Sequence, residues 1–501
     1  MANTFVVSRN HLIFGLCLPI AVLLGYILAE PLDSGSLAVL VMVVSVLFVP
    51  LMMKWHYVAL ILSWNSFITP IFLPGHVPLW IPMVWLSLFF GLLARSISIE
   101  NRFLHVSALN RVMLFLTIVV VATAFASGGF GFRSMGSESQ GGKRYLMLLT
   151  AIAGYYALSS QAIPLHRARL YVSLFLLSGL TSGISNLAYM AGPKFYFLYS
   201  FFPVDLALGQ ATADASLEGE SARITGLLGV SQALTGFVLA RHGVAGLFDF
   251  TRPWRLGLMV AAVALGAYTG FRSCLILFGL TFLLLFWLEG LWRTRYLFMT
   301  LAALLVAGVV VVTFVERMPL SVQRTLSFLP INTDAATRAG ADSSIEWRRE
   351  MWRNVLPEVP RYLFKGKGYA LNLREIEMIE DARPWGVGRP TEGSELAGDY
   401  HNGPLSVLIP FGIYGVVAVL WFWLVAIRVL YRNYRQGNPA LRNLNAFLLA
   451  AFVTRVIFFL FAYGSFNGDL AIFAGLLGMS VALNRGEARQ PAEAEGEALQ
   501  D

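Results

Sequence analysis

The run YLFMTLAALLVAGVVVVTFV, residues 296–315, decides the class of fold. It contains no charged residue, and a helix of that length spans the roughly 30 Å of hydrocarbon in a lipid bilayer. Arg293 and Arg295 stand before the run, and Glu316 and Arg317 follow it, so charged residues mark both of its ends. The sequence therefore predicts a transmembrane helix here.

The composition of the whole chain agrees with a membrane protein. Of its 501 residues, 57% are hydrophobic and only 13% are charged, which excludes a soluble globular protein. The formal net charge is +8, and membrane orientation explains this excess better than nucleic-acid binding does, so no nucleic-acid partner is expected. Cys17 and Cys274 both fall in apolar runs and predict neither a disulfide nor a zinc site.

Apolar runs recur along the chain and predict an all-α bundle of about 14 transmembrane helices, with a range of about 12 to 14. The predicted spans lie near residues 11–29, 37–53, 57–73, 78–94, 112–127, 145–160, 170–191, 224–241, 256–270, 273–290, 296–315, 405–427, 445–462 and 468–484. The first span follows Arg9 and is typical of a signal anchor or, as the alternative, of a cleaved signal peptide.

Basic residues are distributed unevenly between the two sides of the predicted bundle. With the N-terminus inside, eighteen Lys and Arg fall in cytoplasmic connections, against six in the short connections on the other side: Arg133, Lys143, Arg144, Lys194, Arg223 and Arg272. The positive-inside rule then predicts that both termini lie in the cytoplasm. The connection 316–404 is polar and nearly ninety residues long, and a loop of that size is usually functional.

These patterns divide the chain into five expected segments. They are N-terminal transmembrane helices at 1–222, central transmembrane helices at 223–315, a large periplasmic loop with short helices at 316–404, C-terminal transmembrane helices at 405–485 and a cytoplasmic tail at 486–501. No internal repeat is visible, and the acidic tail is expected to be disordered.

The long loop contains one predicted helix. Ser343 and Glu346 have the spacing of a capping box and would start it. Arg348 and Trp352 are four residues apart, so they share a face on which guanidinium and indole can stack. Two interpretations stay open, a helix that rests on the membrane surface and a helix that contacts substrate.

The loop also contains a glycine-rich turn and a segment typical of a helix start. Gly366-Lys367-Gly368 predicts a turn whose glycines permit close approach of a ligand or of another backbone. The segment 399–404, DYHNGP, is typical of a helix start, with Asn or Gly before Pro404. His401 lies just outside that start. Isolated histidines are mostly structural, but an imidazole exchanges protons near neutral pH, which makes His401 a candidate for catalysis.

Arg223 and Arg272 each stand at the start of a predicted helix on the same side as His401. Helix N-termini and arginine forks both suit a diphosphate, although two arginines that reach for the membrane interface would look the same in sequence. Arg455 falls inside a predicted span and requires a partner or a watery cavity. It would either pair with Asp469 or Glu289 in a structural role, or line a substrate path.

Three segments in this order resemble the O-antigen ligase and polymerase superfamily, which includes WaaL-type ligases and Wzy-type polymerases. The first is YTGFRS at 268–273, similar to the family's Thr-x-Ser-Arg turn, with Phe271 in place of the small residue. The second runs from Arg348 through Trp352 to the turn 366–368. The third is HNGPL at 401–405, which opens the next span. The resemblance covers about residues 220–430, and Arg223 in ARITG is similar to a further family arginine.

The resemblance implies a GT-C-like glycosyltransferase of the bacterial inner membrane with its active site facing the periplasm. It would be inverting and metal-independent and would need no cofactor. Its donor would be a polyprenyl diphosphate (undecaprenyl diphosphate) carrying an oligosaccharide. The acceptor would be a glycan, in exopolysaccharide or O-antigen polymerisation, or the lipid A core of lipopolysaccharide, in ligation. The catalytic residues would be His401 and Arg272, and the substrate-binding residues Arg223, Arg272, Arg348, Lys367, Tyr400 and Asn402. A transporter or flippase of lipid-linked saccharides is the alternative.

Overall fold

The computed structural model describes residues 18–19, 21–22, 25, 34–71, 77–97, 103–127, 139–203, 223–372, 391, 394–395 and 398–488. The chain divides into two compact units, residues 1–57 and residues 58–501, and the second unit contains every candidate site residue. Most of the first predicted span, 11–29, lies outside the described residues.

The described residues are almost entirely helical. The α-helices are α1 Ser34–Trp64, α2 Trp80–Ile97, α3 Ser107–Ser127, α4 Gly142–Leu158, α5 Ala168–Leu177, α6 Ile184–Ala191, α7 Thr225–His242, α8 Trp254–Tyr268, α9 Arg272–Leu288, α10 Arg295–Phe314, α11 Leu320–Leu326, α12 Ala335–Val355, α13 Val359–Tyr362, α14 Gly403–Gln436, α15 Arg442–Phe461 and α16 Phe466–Asn484. Short 3-10 helices lie at Leu165–Arg167, Ser178–Gly183, Pro193–Ser200, Ala245–Phe248, Leu291–Arg293, Val315–Arg317, Leu356–Glu358 and Pro439–Leu441. Strands β1 Ser139–Gln140 and β2 Leu371–Asn372 form one antiparallel pair.

Several helices are suited to a bilayer. Within the described ranges, six are long and apolar enough to cross a membrane: Ser107–Ser127, Leu165–Ala191, Arg295–Arg317, Gly403–Gln436, Pro439–Phe461 and Phe466–Asn484. Shorter apolar helices lie at Trp80–Ser96, Trp254–Tyr268 and Arg272–Leu288. The structure therefore confirms an all-helical membrane protein. The predicted total of about 14 spans and the periplasmic loop remain predictions.

One predicted boundary is wrong. The sequence suggested separate spans at 37–53 and 57–73, but α1 continues from Ser34 to Trp64 without a break at Lys54. Residues 51–56 contain no Gly or Asn that would end a helix, and a single lysine can direct its charged end away from an apolar surface.

Aromatic side chains fill the core where the last three helices meet. Phe422 on α14, Phe452 on α15 and Phe473 on α16 are all buried, and their ring centroids are 5.0 to 6.4 Å apart. Helix α16 packs along α4, and α14 packs along α3. Burial of large aromatic rings is a strong source of packing energy, so these rings hold α14, α15 and α16 together.

Helix α14 is interrupted at Gly412, whose backbone has φ 62° and ψ −160°. The interruption follows Pro410, which has no N–H to donate to the helix. The carbonyls left over near the break accept hydrogen bonds from the glycine turn: Ile409 from the Lys367 N–H at 2.8 Å, and Pro410 from the Gly368 N–H at 3.0 Å. The turn therefore completes the hydrogen bonding of a broken helix.

The glycines of this turn serve a close backbone contact. A Cβ atom on Gly366 would lie 2.3 Å from the Pro410 carbonyl oxygen, and one on Gly412 would lie 2.6 Å from the Leu363 carbonyl oxygen. Gly366 also has φ 74°, a left-handed conformation that glycine adopts without strain. Of the two interpretations of Gly366-Lys367-Gly368, approach to another backbone is therefore the one the structure displays.

Candidate active site at the arginine and histidine segments

Helix α12 begins nine residues earlier than the capping box predicted. Its N-cap is Asp334, whose carboxylate accepts a hydrogen bond from the Thr337 N–H at 3.1 Å. Ser343 lies inside the helix, where its hydroxyl donates to the Gly340 carbonyl at 3.0 Å. Asp is among the best N-cap residues, and the intervening segment continues the helix, so the Ser343 signal is overridden.

One face of α12 contacts the helix starts of the membrane part. Ser344 accepts a hydrogen bond from Arg223 at 3.1 Å, and the Trp347 ring lies edge-on to His401 with centroids 5.3 Å apart. The Trp352 indole donates to the Tyr400 carbonyl at 2.9 Å. The bond ties α12 to the start of α14, and the stack of Arg348 on Trp352 stays a prediction.

Tyr400 is buried in the core between the long loop and α14. Its side chain is 3% exposed and belongs to an apolar cluster with Met351, Val355, Leu405 and Ile409. Burial raises the pKa of its hydroxyl above the ordinary value for tyrosine. Tyr400, a predicted substrate-binding residue, is thus packed between α12 and α14 in this structure.

Arg223 and Arg272 are brought close together by a hydrogen bond between the segments that precede their helices. The Ile224 N–H donates to the Thr269 carbonyl at 3.0 Å, which ties the start of α7 to the turn before α9. The Arg223 guanidinium carbon is 5.8 Å from the centroid of the Phe271 ring. Phe271, the large residue before Arg272, therefore contacts Arg223.

Arg348 lies near the same group. Burial holds the pKa of its guanidinium below the ordinary value, Tyr463 opposes this effect, and the positive charge of Arg272 adds to it. Three guanidinium groups thus gather where α7, α9 and α12 meet. A concentration of positive charge of this kind attracts an anion, and guanidinium forks match phosphate oxygens.

His401 stands at the start of α14 in a strained backbone conformation. Its φ is 48°, in the left-handed region that few residues other than glycine adopt. Its Nδ1 lies 3.0 Å from Oδ1 of Asp399, and its side chain is 27% exposed. Asn402 caps α14 by accepting the Leu405 N–H at 3.0 Å, which confirms the predicted helix start.

Lys367 lies on the turn that docks against α14. Its Nζ is 3.9 Å from Oε2 of Glu358 and 5.7 Å from the centroid of the Tyr362 ring. These are contacts with α13 and the short helix before it. In this structure Lys367 contacts other residues of the long loop. Its role in binding substrate stays a prediction.

Two residues near His401 were not singled out by the sequence. The Tyr463 ring lies 5.4 Å from the His401 ring, and burial followed by the Asp399 and Asp469 carboxylates raises the pKa of its hydroxyl to about 12. Arg144 was counted only for its charge, but it lies near Asp399 and lowers the pKa of that carboxyl group. Tyr463 lies in a turn far along the chain, and no local pattern connects it to His401.

A cavity of about 730 Å³ lies among the helices of the membrane part. It is lined mainly by apolar residues of α7, α9, α15 and α16. Thr225 and Cys274, each two residues after one of the arginines, line one part of it, and Leu239 lines another. The cavity therefore follows α7 for most of the length of that helix.

Arg455 also lines this cavity, and it has a partner. Its Nε donates to Oδ1 of Asp469 at 2.8 Å, a second bond joins its Nη2 to the same oxygen, and the Asp469 side chain is 3% exposed. Glu289 instead accepts the N–H groups of Val244 and Ala245, at 2.8 and 3.0 Å. The pairing of Arg455 with Asp469 is confirmed, and that with Glu289 is not formed.

Comparison with known protein families gives a match to part of the chain. The family model described as O-antigen ligase matches residues 257–420, about a third of the chain, a segment that includes Arg272, Arg348 and His401. No curated protein matches the chain. The matched segment and the apolar helices together support the resemblance drawn from the three motifs. Residues 257–420 are thus similar to the O-antigen ligase family, whose members are glycosyltransferase-like membrane proteins that work with lipid-linked glycan donors.

Proposed function

We propose that this protein transfers a glycan from a polyprenyl diphosphate to a sugar hydroxyl at the periplasmic face of the inner membrane. The observation that carries the proposal is the meeting of Arg223, Arg272 and Arg348 with His401 around one face of α12. The family match supports the general class of reaction, and the residues below are our assignment for this chain.

The three arginines are placed to hold the donor diphosphate. When the bond between the anomeric carbon and the diphosphate oxygen breaks, negative charge grows on the leaving group. Fixed guanidinium groups and the N–H groups at the start of α9 stabilise that charge more in the transition state than in the ground state. Because the arginines supply the positive charge, we propose a metal-independent reaction.

The cavity is suited to the isoprenoid part of the donor. Its apolar walls along α7 and α9 match a hydrocarbon chain, and it is lined beside the arginines at Thr225 and Cys274. A lipid whose diphosphate lies at the arginines would therefore have room for its chain between the helices. Arg455, which is paired with Asp469, also lines the cavity.

His401 is placed to take the proton of the acceptor hydroxyl. It is partly exposed, it borders the arginine group through Tyr463, and its ring position is fixed by neighbouring residues. Deprotonation by His401 would let the acceptor oxygen attack the anomeric carbon opposite the diphosphate, in a single displacement that inverts the configuration.

The test uses purified protein in nanodiscs with a radiolabelled lipid-linked oligosaccharide. We expect release of polyprenyl diphosphate together with a new glycosidic bond. A ladder of products from donor alone would identify a polymerase, and a single addition to a lipid A core would identify a ligase. Movement of the labelled lipid across the bilayer without any glycosidic bond would contradict the proposal and favour a flippase.

A further inference from the structure

Asp399 is placed to act on His401 and has no role in the resemblance, which begins at His401. Its Oδ1 lies 3.0 Å from Nδ1 of the imidazole, a distance for a hydrogen bond. Burial raises the pKa of the Asp399 carboxyl group. The hydrogen bonds from His401 and the charges of His401 and Arg144 lower this pKa by more than burial raises it, so the net pKa lies below its ordinary value. Asp399 is therefore an anion at neutral pH.

The remaining neighbours fix the orientation of the imidazole. Trp347 of α12 and Tyr463 of the turn between α15 and α16 both meet it edge-on, at 5.3 and 5.4 Å between ring centroids. The charged groups around it are Asp399, with Arg144 beyond it, and Arg348, which interacts with Tyr463. The imidazole thus has an aromatic neighbour from each packed element and a carboxylate at one nitrogen.

We propose that Asp399 is a positioning residue that selects the working tautomer of His401. An ionised carboxylate only accepts hydrogen bonds, so Nδ1 must carry the proton and Nε2 must carry the lone pair. The left-handed backbone at His401 holds the side chain over Asp399, two residues earlier. The strain at φ 48° is then part of the arrangement that presents Nε2 as the proton acceptor.

This inference rests on the proposed function and completes its proton balance. The acceptor O–H bond breaks and its proton moves to Nε2, while the oxygen forms a bond to the anomeric carbon. The bond from that carbon to the diphosphate oxygen breaks, and its electron pair leaves with the diphosphate. The imidazolium that forms is stabilised by the Asp399 carboxylate, which keeps its negative charge throughout.

The test is Asp399→Asn, because an amide can donate to Nδ1 and so favours the opposite tautomer. We expect kcat to fall by about 10²-fold while the dissociation constant of the lipid-linked donor stays at the wild-type value. Asp399→Glu should restore part of the rate. The matched control is Glu395→Gln, since Glu395 lies in the same segment and accepts from Asn354 and Thr391, bonds that a glutamine oxygen keeps.

A double variant separates positioning from a general structural role. In a His401→Ala background, Asp399→Asn should have no further effect on kcat, because there is no imidazole to orient. The inference is overturned if Asp399→Asn keeps the wild-type kcat, weakens donor binding as much as it lowers kcat, or lowers the residual rate of His401→Ala further. If the wild-type protein itself releases no polyprenyl diphosphate, the proposed function fails first.

Discussion

The guanidinium of Arg223 donates a hydrogen bond to the hydroxyl of Ser344 across 3.1 Å. Arg223 stands just before α7, and Ser344 lies on the third turn of α12, so the bond joins the long loop to the membrane helices. It sets the position of one of the three arginines relative to the helix that carries Arg348 and Trp347. In our account, α12 is therefore the element that assembles the candidate site.

Ser344→Ala tests this bond. Loss of the acceptor removes one of the contacts that hold the Arg223 side chain, and we expect transfer to fall by about tenfold, the effect of one hydrogen bond to a charged group. The control is Ser343→Ala, because Ser343 is exposed and its hydroxyl donates to Gly340 within its own helix. Equal rates for the two variants in the transfer assay would show that α12 does not position Arg223.

The side of the membrane can be tested by labelling in whole cells. In a background with Cys17 and Cys274 replaced by alanine, Ser343→Cys should react with a membrane-impermeant thiol reagent added outside the inner membrane. Arg435→Cys, at the exposed end of α14, should react only after the membrane is opened. The reverse pattern would place the arginines in the cytoplasm and remove the basis for a periplasmic reaction.

Gly366→Ala should destabilise the protein. The new Cβ atom would meet the Pro410 carbonyl oxygen, and the left-handed backbone alone costs about 1–2 kcal/mol for a residue with a side chain. Thermal unfolding in detergent gives the measurement. Gly340→Ala is the control: it lies within α12 with nothing within 4 Å of its added Cβ atom, and it should stabilise the helix by about 0.5–1 kcal/mol. A Gly366→Ala protein as stable as the Gly340→Ala protein would contradict the docking described for the turn.

Local features of the sequence predicted where helices start. They did not predict which helices contact each other. The starts of α9 at Arg272 and of α14 after Asn402 were predicted, because caps, proline and apolar runs act within a few residues. The contact of His401 with Tyr463 joins positions far apart along the chain, and no pattern of period or spacing encodes such a contact. Tertiary packing decides it.

The errors have the same origin. Ser343 and Glu346 formed a convincing capping signal, but Asp334 was a better N-cap for a longer helix. Likewise, Gly366 and Gly368 indicated a close approach but did not show whether the partner is a ligand or another backbone. The answer depended on the interruption of α14 at Gly412, which the preceding Pro410 made possible.

Arg455 and Asp469 give a prediction about stability. Removing one partner of a buried pair leaves an uncompensated charge, so Arg455→Met and Asp469→Asn should each cost about 3–5 kcal/mol. The double variant should lose less than the sum of the two. Unfolding midpoints in detergent provide the test. An Arg455→Met protein with an unchanged midpoint but no transfer would show that Arg455 contacts the substrate and is not there for structure.

The most direct test of the account is the affinity for polyprenyl diphosphate without a glycan, measured for the wild type, Arg272→Ala and His401→Ala in nanodiscs. Our account predicts that Arg272→Ala weakens binding by at least about tenfold, because a bidentate guanidinium contact to phosphate is lost, and that His401→Ala binds like the wild type. Wild-type affinity in Arg272→Ala would contradict the claim that the arginine group holds the lipid diphosphate.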